Sequence, residues 1–202
     1  MMWPAFSGPA HRLLQDILAP GSTQQLEATL REAMGPSAAG AGPWLDVGAG
    51  SQSRLNALGR RPVVVDISPA QARAAYADGA LAVVASIEAL PFPDRYFDVS
   101  ACVGLLHHLP DRAAAAGLKE LVRVTHGDGR VIVFDAVLPE RKWRRPAASA
   151  IRALDRGRWM RRQAALEQLL PADEGWSMKR MTYAATGLEG VLATRRGAGV
   201  CP

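Results

Sequence analysis

Short apolar runs alternate with longer amphipathic stretches from Trp44 onward. The runs are WLDVG, RPVVVDI, LAVVAS, FDVSACVG and RVIVFDAV, and between them lie helical patterns such as PAQARAAYAD and DRAAAAGLKELVRV. Runs apolar on both faces, spaced by helices, are the pattern of βα units on a parallel sheet covered on both sides. Two further strand-like runs, near Ser177–Ala184 and Gly190–Thr194, are joined by Thr186 and Gly187 and read as an antiparallel hairpin added at a sheet edge. Before Trp44, Leu13, Leu14, Ile17 and Leu18 recur at helical spacing, as do Leu26, Leu30 and Met34, with Pro20 and Gly21 breaking between them and Ser22 placed to cap the second helix. The pattern predicts a three-layer α/β fold: a doubly wound, mostly parallel sheet of seven strands with a C-terminal antiparallel hairpin. Its parts are N-terminal helices over 1–43, a core over 44–137, a basic helical insert over 138–172, and a terminal hairpin and tail over 173–202.

The length of 202 residues fits one domain with a real core. No apolar run approaches the ~20 residues of a membrane-spanning helix. Cys102 and Cys201 lie far apart, and Met1 to Gly8 lacks the basic start and apolar stretch of a secretory signal, so the expected compartment is the cytoplasm. The formal charge of +5 comes from 24 basic and 19 acidic residues, but nine of the basic ones fall between Glu140 and Arg162, opposed only by Glu140 and Asp155. The rest of the chain holds 15 basic against 17 acidic residues, so the basic character belongs to one segment. Arg outnumbers Lys 21 to 3 in an Ala-rich chain, a bias that weakens any single Arg as a functional signal.

The segment Leu45-Asp46-Val47-Gly48-Ala49-Gly50-Ser51 stands where the first strand should turn into a helix. Gly48 and Gly50 permit a tight turn and close approach of a ligand, and a following helix would offer its free N–H groups. Asp66 ends the second run, 18 residues after Gly48, where a carboxylate can accept both hydroxyls of a ribose. A lone GxG is usually a plain turn and an Asp at a strand end usually a cap; their order together favours a nucleoside cofactor. A dinucleotide is disfavoured, because the last glycine of GxGxxG is Ser53 here. Asp46, two residues before the first glycine, suits a ligand with an ammonium group instead.

Asp46 to Gly50, Asp66, the stretch Glu88-Ala89-Leu90-Pro91-Phe92-Pro93-Asp94 with Phe97-Asp98, and Leu106-His107-His108-Leu109-Pro110-Asp111 resemble the class I S-adenosylmethionine-dependent methyltransferases, in particular the methyltransferase type 11 branch that includes the ubiquinone/menaquinone-type enzymes. The resemblance implies a Rossmann-like fold, S-adenosylmethionine as cofactor and S-adenosylhomocysteine as product. By position it implies that Asp46, Gly48, Ala49 and Gly50 hold the methionine part, Asp66 the ribose, and Ile67 the adenine face. Ser86, Ile87 and Glu88 fall at the adenine edge, and Cys102, Val103 and His107 beside the methionyl group. Two positions depart from the family pattern: Gln52 stands where a third glycine is usual and Ser86 where an acid is usual.

Methyl transfer from a sulfonium is an in-line displacement, so alignment and exclusion of water are the main tasks. If the acceptor must lose a proton, His107 and His108 are the clustered candidates for a catalytic base. The plainer reading packs one against the cofactor and lets the other cap the next helix near Asp111. No zinc spacing is present, and no metal is expected. In the basic segment Arg156, Arg158, Arg161 and Trp159 are candidate substrate contacts, able to grip an anion while Trp159 stacks on a ring or meets a lipid interface. The competing reading is a solvated helix pair whose arginines face water. The expected partner is a small-molecule or lipid acceptor, with peripheral membrane contact through the Arg/Trp segment left open. A nucleic-acid methyltransferase is less favoured, since Cys102-Val103-Gly104-Leu105 replaces the Asn/Asp-Pro-Pro-aromatic motif, and a cofactor-binding protein without activity is the third alternative.

Overall fold

The computed structural model describes residues 21–34, 42–139, 158–172, 175–182 and 189–196. Seven strands form one sheet among them: β1 Trp44–Val47, β2 Val63–Asp66, β3 Leu81–Val84, β4 Phe97–Val103, β5 Thr125–Val137, β6 Trp176–Thr182 and β7 Glu189–Arg196. The order is β3-β2-β1-β4-β5-β7-β6. The pairs from β3 to β5 are parallel, while β7 runs antiparallel to both β5 and β6. The expected fold class is what forms, and the second strand of the terminal pair, rather than the first, lies against β5.

The sheet is covered on both faces. Helix α3, Asp111–Val124, buries Ala113, Ala114, Gly117, Leu118, Leu121 and Val124, the stripe its 3.6-residue period sets. That stripe packs with Leu45, Val47, Val131, Val133 and Val137. On the other face α1, Ser22–Met34, lays Leu26, Leu30 and Met34 on Trp44, Val99, Ala101, Ile132 and Phe134. Alternate residues of β5 therefore feed different clusters, as the two-residue period of a strand requires. Helix α2, Pro69–Ala77, begins on a proline at its start and covers β2 and β3 with Ala72 and Ala75.

Three sequence expectations change. The α-helix expected after the glycine turn is a five-residue 3-10 turn, Arg54–Leu58, with the Ser53 side chain accepting from Leu55 N and Gly59 ending it at φ 75°. Its place on that face is taken by α1, which shares a cluster with Leu55. β5 starts at Thr125 and so takes in His126, which the sequence places in a turn. In the basic insert, the described residues contain only a short helix α4, Gln163–Glu167. The first N-terminal helix, His11 and the hairpin turn at Thr186 and Gly187 lie outside the described residues.

Gly117 has a packing reason. An ideal Cβ there would stand 2.7 Å from Cγ1 of Ile87, which fills the space left by the missing side chain. Replacing Gly117 with Val should cost about 1–3 kcal/mol by overpacking, measurable by urea denaturation. Because Ile87 must give way, the Ser86–Glu88 stretch should shift with it, seen as amide chemical-shift changes there.

Candidate active site at the carboxyl edge of the sheet

The carboxyl ends of β1, β2, β4 and β5 converge on one edge, where open α/β sheets place their ligands. Gly48 turns at φ 74° and Gly50 at φ 65°, and Gly48 N donates to Val65 O at 2.7 Å. These left-handed angles favour glycine at both positions. A Cβ on Gly48 would also run into Leu105, 2.6 Å from its Cδ2, so the turn sits tight under the loop that follows β4.

Asp46 is 1% exposed. Its Oδ2 accepts from the Ser53 hydroxyl at 2.6 Å, while its Oδ1 is buried with no hydrogen-bond partner among the described residues. Burial pushes its carboxyl up to about 7, with Ser53 and nearby Arg54 pulling the other way. A buried carboxylate oxygen lacking a partner is a costly arrangement unless a donor arrives. Asp66 accepts Gly50 N at 3.1 Å on Oδ2 and Ser68 N at 2.8 Å on Oδ1, which fastens the glycine turn to the end of β2. Each of those oxygens has a second lone pair. Beside it Ile67 is 72% exposed, an open apolar surface at the expected place of the ring.

Ser86 accepts Glu88 N at 3.2 Å, a local turn bond. Ile87 turns its side chain into the core against Gly117. Glu88 is exposed. Cys102 is fully buried, paired with Val47 and Val133 across the sheet, and burial with nearby Asp135 and Asp46 raises its thiol well above the ordinary range. Val103 is half-buried at the end of β4.

After β4, Gly104 N donates to Phe134 O at 2.8 Å and a second 3-10 turn, Leu106–His108, carries both histidines. The two part company here. His107 is buried at 8% and its Nδ1 lies 2.5 Å from Oδ1 of Asp135, itself 2% exposed. Ala136 N also donates to that oxygen at 2.9 Å, which fixes the carboxylate. His108 is exposed and its ring packs tilted against that of His107 at 4.0 Å. α3 starts from Pro110, which makes no side-chain cap bond.

The basic segment supplies the larger correction. Arg161 is not an open substrate contact but a buried strut, 8% exposed. Its Nε donates to Asp111 Oδ1 at 2.7 Å, Nη1 to Leu106 O at 2.7 Å and Nη2 to Leu109 O at 2.5 Å. Arg158 is exposed and Trp159 is 43% exposed, with Trp159 N donating to His107 O at 2.9 Å. Arg156 lies outside the described residues. Asp135 and the Asp111–Arg161 pair were not read from sequence. An acid two residues before the end of a strand run was the available signal for Asp135; nothing marked Arg161 as different from its neighbours.

Among the described residues no cluster of His, Cys, Asp or Glu could hold a metal ion, and no helix is long and apolar enough to cross a membrane.

Residues 45–133 match the family model of the methyltransferase domain. A 53-residue stretch is 42% identical to an uncharacterized methyltransferase of Bacillus subtilis, YcgJ, covering 26% of this chain and 20% of that protein. The chain thus aligns with about a fifth of that relative's length. In three dimensions it is similar to the YcgJ crystal structure, with a TM-score of 0.59 at 17% identity over 87% of this chain and 97% of the other. The PH0226 protein of Pyrococcus horikoshii gives 0.65 at 17% identity over 97% and 96%. A geranyl diphosphate C-methyltransferase of Streptomyces coelicolor, in complex with Mg2+, geranyl diphosphate and S-adenosyl-L-homocysteine, gives 0.63 at 16% identity over 86% and 78%.

Proposed function

We propose, on the premise that residues 45–133 are a class I S-adenosylmethionine-dependent methyltransferase domain, that the protein transfers a methyl group to an oxygen, nitrogen or carbon atom of a small acceptor of anionic or amphiphilic character. The observation that carries this reading is Asp46: a buried carboxylate oxygen with no partner, beside a left-handed glycine turn, fits the ammonium group of the methionyl moiety. Asp66 would accept from the ribose hydroxyls, Ile67 would cover the adenine, and Ser86 with the Ile87 backbone and Glu88 would border its edge. The residues present fit the cofactor, and when bound it supplies an activated methyl group.

What the chain itself does is align and shelter. The glycine turn and the end of β4, with Cys102 and Val103, wall the site on the core side. Nδ1 of His107 is committed to Asp135, so where the acceptor must lose a proton, Nε2 is the atom of that ring to take it. Trp159 and Arg158 stand beside the histidine turn, where a ring and a positive charge would suit an amphiphilic anion. The geranyl diphosphate enzyme shows that a protein of this fold accommodates such a ligand. The free, buried Cys102 suits a reducing compartment, and the activity is assigned to the cytoplasm.

Calorimetry with S-adenosylhomocysteine tests the site. The wild-type protein should bind, and Asp46→Ala and Asp66→Ala should each weaken binding at least about tenfold, the effect of losing ~1.4 kcal/mol of a charge-assisted contact. Affinity untouched by both changes would sink the assignment. Incubating the protein and labelled cofactor with a metabolite and lipid extract, then searching by mass spectrometry for products heavier by one methyl group, identifies the acceptor.

A further inference from the structure

The histidine turn is held from two sides, and the second holder lies in the basic segment. Arg161 reaches three acceptors, all within residues 106–111: Leu106 O, Leu109 O and the Asp111 carboxylate. The same six residues carry His107 and His108. At its own backbone, Arg161 bridges to Val137, and Leu138 N donates to Arg161 O at 2.8 Å. Val137 is two residues beyond Asp135 on the same strand. Trp159 N adds a bond to His107 O. The end of β5, the strap at 159–161 and the histidine turn therefore close a ring of contacts around the 2.5 Å approach of His107 to Asp135.

Stability alone is a poor reason for this arrangement. Burying a guanidinium is costly, and its charged partner among the described residues, Asp111, has a side chain 75% exposed, so the pair gains little that well-packed apolar residues would not match. What a planar five-donor group provides, and a hydrophobic side chain cannot, is a fixed geometry among several acceptors. Residues that hold a reacting group to within a fraction of an ångström are where such a cost is repaid in function.

We propose that Arg161 is a positioning residue for the methyl-transfer site: it fixes the turn that presents His107, and through Trp159 the wall beside it, to the carboxyl edge of the sheet. The inference rests on the reading of that edge as the reaction site. It also removes Arg161 from the charges available to an anionic acceptor and leaves that task to its exposed neighbours.

The test is imidazole NMR of the full-length protein, which needs no acceptor. In wild-type protein the His107 Nδ1 proton should be protected from exchange. Arg161→Met should expose that proton to exchange, while S-adenosylhomocysteine binding, set by Asp46 and Asp66, stays within about threefold. Arg161→Lys should recover part of the wild-type signal, and Asp111→Asn should loosen it partially. An unchanged His107 signal in folded Arg161→Met overturns the proposal; if that variant does not fold, unchanged signals in both Arg161→Lys and Asp111→Asn overturn it equally. Failure of wild-type protein to bind S-adenosylhomocysteine defeats the functional reading instead, and the imidazole comparison still decides the role of Arg161.

Discussion

Replacing Asp46 with Asn is expected to push stability and ligand binding in opposite directions. The buried carboxylate, raised to about 7, binds its proton more tightly in the folded chain than in the unfolded one. Between the ordinary value of 3.8 and about 7 the folded state therefore holds the extra proton, and stability falls as pH rises through that window. At ~1.4 kcal/mol per pH unit of displacement, the loss amounts to a few kcal/mol by pH 8. Asn keeps an oxygen for the Ser53 hydroxyl and carries no charge, so the ligand-free variant should be about 1–2 kcal/mol more stable than wild type at pH 8, after allowing for a buried amide N–H left without a partner. At pH 5 the gain should disappear. Thermal unfolding at the two pH values measures it. Binding of S-adenosylhomocysteine should meanwhile weaken sharply in the variant. In wild type it should weaken as pH drops below about 7, where Asp46 becomes protonated, and in Asp46→Asn that dependence should be flat. A variant that is destabilised at pH 8 and binds as before would remove Asp46 from the site.

The second large effect belongs to His107 and Asp135. Once an acceptor is in hand, and if it must lose a proton, His107→Ala should lower the single-turnover rate by about 10²–10⁴, the usual contribution of a positioned base. Asp135→Asn separates geometry from charge. An amide oxygen at that place can still accept from both His107 Nδ1 and Ala136 N, so the ring keeps its orientation while the negative charge that stabilises a protonated imidazole is gone. Its rate should fall between those of wild type and His107→Ala, and its S-adenosylhomocysteine affinity should stay within about threefold of wild type. The wild-type rate should rise with pH and level off, since a base works only when unprotonated. His108→Ala should leave the rate close to wild type, because the ring that Asp135 holds at 2.5 Å is that of His107. A His107→Ala rate equal to that of wild type at every pH would make His107 a packing residue.

The sheet was legible because its strands are buried on both faces and write themselves as continuous apolar runs, and α3 because its apolar stripe repeats on the helical period. The 3-10 turn after the glycines was not. Its stretch, SQSRLNALG, contains a cap, Leu55 and Leu58 at helical spacing and a terminal glycine. Only the packing of α1 against the same face decides that one short turn suffices. At the site, residues tied to a local backbone signature were readable: Gly48 and Gly50 by the turn they permit, Asp66 by its place at a strand end. Partnerships across the sheet were not. His107 and Asp135 are 28 positions apart, and Arg161 and Asp111 are 50 apart. Pairings of that separation exist only once β4, β5 and the returning strap are assembled. Ile87 shows the same limit, since only its packing against Gly117 in the assembled fold sets where its side chain lies.

The parallel bridge between Val137 and Arg161 has a consequence for how this protein can change. It pins together the two points where the chain leaves the sheet region and where it returns. Closing a loop costs free energy that grows only with the logarithm of its length, about 0.6 kcal/mol per doubling. A segment tethered this way can be lengthened, shortened or exchanged in descendants of this chain while the carboxyl edge of the sheet stays as it is. On the proposed function, new acceptors can then be sampled at little risk to the fold.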